Sequence, residues 1–291
     1  MNIEVKPADD RTWVLASEDD VSPEKTRAAS RFTISNGFLG VNGGCSTVRG
    51  MRSGVSGRTY VAGLFDTPEA DHAVPELVPA ADWLRVRLLL SGQPMVCDLG
   101  DAASDRIRLD MKRGVLRSET RCSGAHGLSF RVNAECLVSM DDRTLGLQVV
   151  RFEIETGIAE LTLEAWFDDP GLVCELTELA IGAWRTQRSG KRLAMATALS
   201  LQIDGLDRPP TALGPLRSSW GWTARPGQVV CFERMVTIVR SDIETVDPRI
   251  EARRNLDLAR QVGCDGVVRA HEMAWASRWR GSDIVVDGDA A

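Results

Sequence analysis

The sequence predicts a mainly β protein: a large antiparallel two-sheet β-sandwich followed by two C-terminal linker helices. Three observations carry this. From residue 80 to about 240, apolar residues recur with period two, the mark of half-buried strands. Turn-rich pieces, not helical stretches, separate those runs, which favours antiparallel pairing over strand–helix alternation. At Asp247 the period changes to that of a helix. The chain thus divides into a sandwich over 1–246 and a helical linker over 247–291.

The first element is a hairpin. In RFTISNGFLGVN, residues 31–42, two short apolar runs flank Asn36-Gly37, a pair suited to a two-residue turn. The glycines continue to Gly43-Gly44, which raises the idea of a phosphate-binding loop. Such a loop needs the spacing GxGxxG or GxxxxGK[ST] between a strand and a helix N-terminus. GFLGVNGG has neither spacing, no lysine lies near it, and the following CSTVRGMRSGVSGRTYVAG shows no helical period. The next stretch, DTPEADHAVPELVPAAD at 66–82, holds three prolines and five acidic residues and reads as an exposed loop.

The strands follow. In WLRVRLLL, Leu84, Val86 and Leu88 alternate with Arg85 and Arg87. In LSFRVNAECLVS, Leu128, Phe130, Val132, Ala134 and Cys136 face one way, and Ser129, Arg131, Asn133 and Glu135 the other. TLGLQVVRFEIE is apolar on both faces, which marks a central strand. ELTLEAWF, ALSLQIDG and QVVCFERMVTIVRS continue the series between turns such as ETG, DDPG, DRPP and ARPG. The helical part opens with Asp247 as N-cap and Pro248 at the first helical position. IEARRNLDLARQ follows, with Gly263 as its stop. A second helix, about VVRAHEMAWASRWR, sets Val268, His271, Trp275 and Trp279 on one face.

Composition bounds the partners. With 43% hydrophobic and 26% charged residues, the 291-residue chain has the make-up of a soluble globular protein. A net charge of −6 argues against a nucleic-acid surface. The N-terminal MNIEVKPADDRTWVL lacks the apolar core of a signal peptide, and no run nears eighteen apolar residues, so no membrane is expected. Seven scattered cysteines, odd in number and never in a CxxC pair, point to a reducing, cytoplasmic setting.

Few residues nominate chemistry. HEMAW at 271–275 is one residue from the zinc-protease pattern HExxH, but Trp275 stands where the second histidine is needed. His72 and His126 lie far away in sequence, so His271 is expected to be a packed, hydrogen-bonded interface residue and no metal is expected. The acidic pairs Asp168-Asp169 and Asp141-Asp142, and the run Glu18-Asp19-Asp20, sit in turns. Nothing separates them from solvated carboxylates. No GxSxG elbow occurs, and no catalytic residue emerges. Eight tryptophans stand against one tyrosine. Their rings suit both core filling, the commoner use, and stacking on sugars. Trp220 and Trp222, on one face of a strand, are the surface candidates for sugar.

The order RFTISNGFLGVNG, TYVAGLFD, ELVPAADWLRVRL, RLDMKRGVLRS, LVSMDDR and HEMAWASRWRGSDIVVDGD resembles the N-terminal part of glycoside hydrolase family 65, which includes maltose, trehalose and kojibiose phosphorylases and related hydrolases. The resemblance implies a super-β-sandwich and linker helices leading to an (α/α)6 barrel that carries the general-acid glutamate. No catalytic residue has a matching position here. It implies no cofactor beyond inorganic phosphate as co-substrate of the parent phosphorylase. The implied partners are the barrel, in cis or as a separate chain, a second copy in a homodimer, and an α-glucoside sugar. Two positions depart from the family pattern: Ala29 replaces a usual glutamate, and Asn42-Gly43 replaces a frequent Arg-Gly. Asn42, His271, Trp275 and Trp279 are accordingly the candidate contacts to the barrel. A free-standing carbohydrate-binding or scaffold sandwich is the alternative.

Overall fold

The structure, a computed structural model, describes residues 13–17, 31–42, 58–69, 74–95, 106–124, 127–241 and 247–282. Gly43, Gly44, Ala29, His72, His126, the Glu18–Asp20 run and the tail after Ser282 lie outside the described residues.

The main sheet has ten antiparallel strands. Its path runs Val14–Ser17, Arg106–Asp110, Val115–Ser123, Ser129–Val138, Leu145–Thr156, Val229–Ser241, Arg192–Ile203, Ile181–Arg185 and Val173–Thr177; Leu206–Asp207 pairs with Arg192–Ile203 off that path. Leu145–Thr156 lies in the middle, as its two apolar faces predict. Alternation is also as expected in Ser129–Val138, where Phe130, Val132, Ala134 and Cys136 are buried.

The second layer is split. The facing side of the sandwich consists of two sheets, where one was expected. One has five strands, ordered Ala212–Gly214, Arg217–Ala224, Ala159–Trp166, Arg85–Leu90 and Gln93–Pro94; the other has four, Thr33–Ser35, Leu39–Asn42, Arg58–Asp66 and Glu76–Ala80. Residues 81–84 cross between them without pairing and are buried, with Trp83 fully enclosed. One hydrophobic cluster joins both small sheets to the inner face of the main sheet. The stretch 66–82 is therefore only in part a loop. Glu76–Ala80 is a strand at the sheet edge, where Pro79 removes no ladder bond that the sheet needs.

The outer face of the main sheet is covered by helix over part of its area. Ala252, Leu256, Ala259, Val267 and Val268 pack on Leu137, Leu145, Leu147, Met235 and Val239. The helical segment Pro248–Ser282 starts as predicted: the Arg249 N–H donates to Asp247 Oδ1 at 3.0 Å. It breaks once, at Gly263 (φ 75°, ψ 164°), a left-handed φ that glycine adopts without strain. The rest of the outer face is a lattice of cross-strand charges. Arg117 meets Glu135 at 3.0 Å, Arg121 meets Glu155 at 2.7 Å, and Arg131 sits among Glu119, Glu153 and Glu155. Such pairs solvate a face and add little stability each.

One cysteine departs from expectation. Cys122 is disulfide-bonded, while Cys136, Cys174, Cys231 and Cys264 are free thiols. A disulfide does not fit the reducing setting read from the cysteine pattern.

Candidate functional site

The turn joining Ser129–Val138 to Leu145–Thr156 is the meeting point of three distant segments. SMDDRT (139–144) builds the turn from its own side chains. Ser139 Oγ accepts from the N–H groups of Asp141 and Asp142, and Asp142 Oδ1 accepts from the N–H and hydroxyl of Thr144. Asn36 reaches this turn from the first hairpin. Its Nδ2 donates to the carbonyls of Ser139 (2.7 Å) and Arg143 (3.0 Å), while its Oδ1 accepts from the N–H groups of Phe38 (3.0 Å) and Leu39 (2.8 Å). From the linker, Asn255 Nδ2 donates to Thr144 Oγ1 at 3.2 Å, and the Met140 N–H donates to His271 Nδ1 at 3.1 Å. The hairpin forms, with Thr33–Ser35 paired to Leu39–Asn42, but its bend falls one residue later than predicted. The Asn36 N–H donates to Leu39 O, so the central residues are Gly37 (φ 87°) and Phe38.

His271 is fully buried. Because Nδ1 accepts from an N–H, the ring proton sits on Nε2, which donates to Arg113 O at 2.6 Å. Burial holds the imidazole below its usual titration range despite the carbonyls around it. With both nitrogens engaged, this ring has no lone pair left for a metal. Among the described residues, no three His, Cys, Asp or Glu side chains are grouped to hold one. The same helix face carries two tryptophans. Trp275 lies against Gly114, where an added Cβ would come within 2.2 Å of the indole nitrogen. Trp279 stacks on Trp275 (5.6 Å between centroids, 20° between planes), meets Trp13 edge-on at 4.7 Å, and donates Nε1–H to Lys112 O at 2.9 Å. Both indoles and the imidazole are thus seated on the sandwich's own Asp110–Val115 turn. Lys112–Gly114, read only as part of the block RLDMKRGVLRS, and Asn255 were not candidate site residues; the one local signal is the turn glycine of MKRG.

The remaining candidates lie elsewhere. Trp220 is 2% exposed, edge-on to Phe232 at 5.8 Å, and donates to Arg208 O at 3.2 Å, so both ring faces are enclosed. Trp222 lies on the same inner face and packs against the core with part of its area exposed. Asn42 ends its strand, paired with Thr33 on one side and Arg58 on the other.

A second polar cluster was also not foreseen. Between the layers, Arg85 bridges Asp82 (2.9 Å) and Asp168 (2.5 Å), and Trp166 Nε1–H donates to Asp168 at 2.7 Å. Fully buried Arg234 lies 5.8 Å from the Phe167 ring and 5.4 Å from the Phe232 ring, and donates to Arg85 O at 3.1 Å. Burial raises Asp82 to about 6, against the opposing pull of Arg85. Burial lowers Arg234 to about 9, so it remains a cation at neutral pH. WLRVRL and VVCFERMV each placed an arginine at a strand position, and alternation alone could not show that Arg234 faces inward.

The geometry thus links the four blocks: SNGFLG and HEMAW meet at the SMDDR turn, and HEMAW also meets MKRG. The family model "Glycosyl hydrolase family 65, N-terminal domain" matches residues 16–278. The chain belongs to glycosyl hydrolase family 65. Within this family it is similar to a kojibiose phosphorylase of Thermoanaerobacter brockii, 33% identical over 108 residues (37% of this chain, 13% of the relative). A kojibiose phosphorylase of Caldanaerobacter subterraneus subsp. tengcongensis is 27% identical over 134 residues (46% of this chain, 17% of the relative). A solved structure named "Putative kojibiose phosphorylase from human microbiome" superposes with a TM-score of 0.81 at 13% identity, covering 95% of this chain and 39% of that one. At that identity it establishes the fold. The family 65 chain therefore spans well under two thirds of these relatives. Among its described residues no helix is long and apolar enough to cross a membrane.

Proposed function

We propose that this chain is the non-catalytic sandwich-and-linker region of a family 65 glycoside phosphorylase acting on an α-glucosidic disaccharide such as kojibiose. In this reading a following (α/α)6 barrel, in cis or as a separate chain, supplies the general-acid glutamate, and inorganic phosphate attacks the opposite face of the glucosyl carbon. The sandwich supports the barrel, takes part in a homodimer and shapes substrate access. One observation carries the proposal: the linker helices leave the sandwich in a fixed direction. Asn255, His271 and Trp279 are each hydrogen-bonded to it, so the helices can hold a neighbouring domain in register.

The test is enzymatic. The purified chain is expected to release no glucose 1-phosphate from kojibiose or maltose with phosphate, and the same chain joined to a family barrel is expected to do so. Turnover by the isolated chain would overturn the non-catalytic reading. Light scattering tests the dimer: a monomer at every concentration would remove that role.

A further inference from the structure

We propose that His271 is an acid-released latch: its protonation frees residues 264–282 from the sandwich by pivoting at Gly263, while residues 248–262 stay docked. This holds for the chain by itself, whether or not a catalytic domain follows.

The two halves of the linker are attached differently. The first half is fixed by apolar burial, by neutral hydrogen bonds and by the Arg253–Glu178 ion pair at 2.5 Å, none of which involves an imidazole. Ala252, Leu256 and Ala259 are buried in the apolar cluster, Thr237 Oγ1 donates to Ala252 O at 2.7 Å, and Asn255 binds Thr144. The second half depends on the imidazole. Val267 and Val268 are buried near the break, where Cys264 Sγ donates to Glu233 at 3.2 Å. Farther along, the buried polar contact is that of His271 with Met140 and Arg113, flanked by the longer Arg113–Glu272 pair (3.8 Å) and the more exposed Trp279–Lys112 O bond. A proton added to Nδ1 turns the acceptor of the Met140 N–H into a donor, so two N–H groups then face each other in a site closed to water. An unmade buried hydrogen bond and a buried charge both oppose docking.

The charges around the ring come from several elements. Arg113 on the underlying turn lies 3.8 Å from Glu272 on the helix itself. Arg117 and Glu135 on the neighbouring strands pair at 3.0 Å, and Asp141 and Asp142 belong to the turn that supplies Met140. Arg113 and Arg117 oppose an imidazolium, and their carboxylate partners offset them. The pivot is present in the backbone: Gly263 already departs from helical geometry, and no atom lies within 4 Å of where its Cβ would be.

The experiment is hydrogen exchange, corrected for intrinsic rates, on the whole chain between pH 7 and 5, with imidazole 15N shifts recorded in parallel. Wild type is expected to lose protection in 264–282 by up to about tenfold per pH unit below 6.5, with 249–262 unchanged, as the His271 nitrogens report protonation. His271→Asn keeps an acceptor near Met140 and His271→Gln keeps a donor near Arg113 O. Neither titrates, so each is expected to show flat protection across the range. Three results would overturn the latch: both halves losing protection together, the same acid response in either variant, or release of 264–282 while His271 stays neutral.

Discussion

Replacing Asn36 by alanine removes four hydrogen bonds at once, two within the hairpin and two to the Ser139–Thr144 turn. A neutral hydrogen bond contributes about 0.5–1.5 kcal/mol net, so four give a ceiling of roughly 6 kcal/mol. Asn36 is only half-buried, and water can reach some of the orphaned groups, so the expected loss is nearer 2–3 kcal/mol. In urea, with a slope of about 2–3 kcal/mol per molar, the midpoint would fall by about 1 M. Asn36→Asp separates the two halves of the effect. It keeps the acceptor for Phe38 and Leu39 but sets a carboxylate against the carbonyls of Ser139 and Arg143. If the long-range contacts dominate, the aspartate variant is as unstable as the alanine. A loss under about 0.5 kcal/mol for alanine, or wild-type behaviour for aspartate, would refute the idea that Asn36 ties the hairpin to the turn.

Gly114→Ala should cost about 2–4 kcal/mol by denaturation and change tryptophan fluorescence. A left-handed φ of 64° strains alanine, and its Cβ would displace Trp275. Asp66 accepts from the N–H groups of Thr67, Gln187, Arg188 and Ser189, and although burial opposes ionisation these bonds hold its carboxyl below the usual range. Asp66→Asn should therefore lose about 1–3 kcal/mol at pH 7, with the gap to wild type closing as pH falls through the carboxylate range. Asp82 works in the opposite sense. With its folded value raised from 3.8 to about 6, its contribution is fully present below 3.8 and is lost as pH rises through 6, by up to about 3 kcal/mol. Asp82→Asn should flatten that part of the stability-versus-pH curve; a slope identical to wild type would contradict the assignment.

The fold was legible where one physical rule governs. Alternation in Ser129–Val138, the doubly apolar Leu145–Thr156, the Asp247-Pro248 start and the Gly263 stop each follow from local patterning or backbone chemistry. What failed depended on neighbours distant in sequence. Glu76–Ala80 pairs through an edge that proline tolerates, which prolines and acidic residues in a single sequence disguise as a loop. The splitting of the second layer follows from residues 81–84 leaving the ladder to bury Trp83, and no period marks such a step. Of the candidate site, the apolar helix face with His271, Trp275 and Trp279 was readable from 3.6-residue spacing. Its counterpart was not, because Lys112, Arg113 and Met140 take part through backbone groups, which any residue type supplies.

The same distinction explains why the family blocks are weak one by one. MKRG and SMDDR meet the other blocks mainly through backbone N–H and C=O groups, and the side chains of SMDDR serve chiefly to shape its own turn. Asn36, Asn255, His271 and Trp279 supply the side chains that reach across to them, with the Thr144 hydroxyl receiving Asn255. These four tie the hairpin and the linker helices to the sandwich, and three of them are neutral groups that bind alike at any ordinary pH. His271 is the exception, with a stabilising contribution fully present above 6.5 and lost as pH falls through its depressed folded value. A junction built from asparagine and tryptophan alone would hold the linker permanently. Placing one titratable ring at its centre makes the direction of the second helix depend on a single proton.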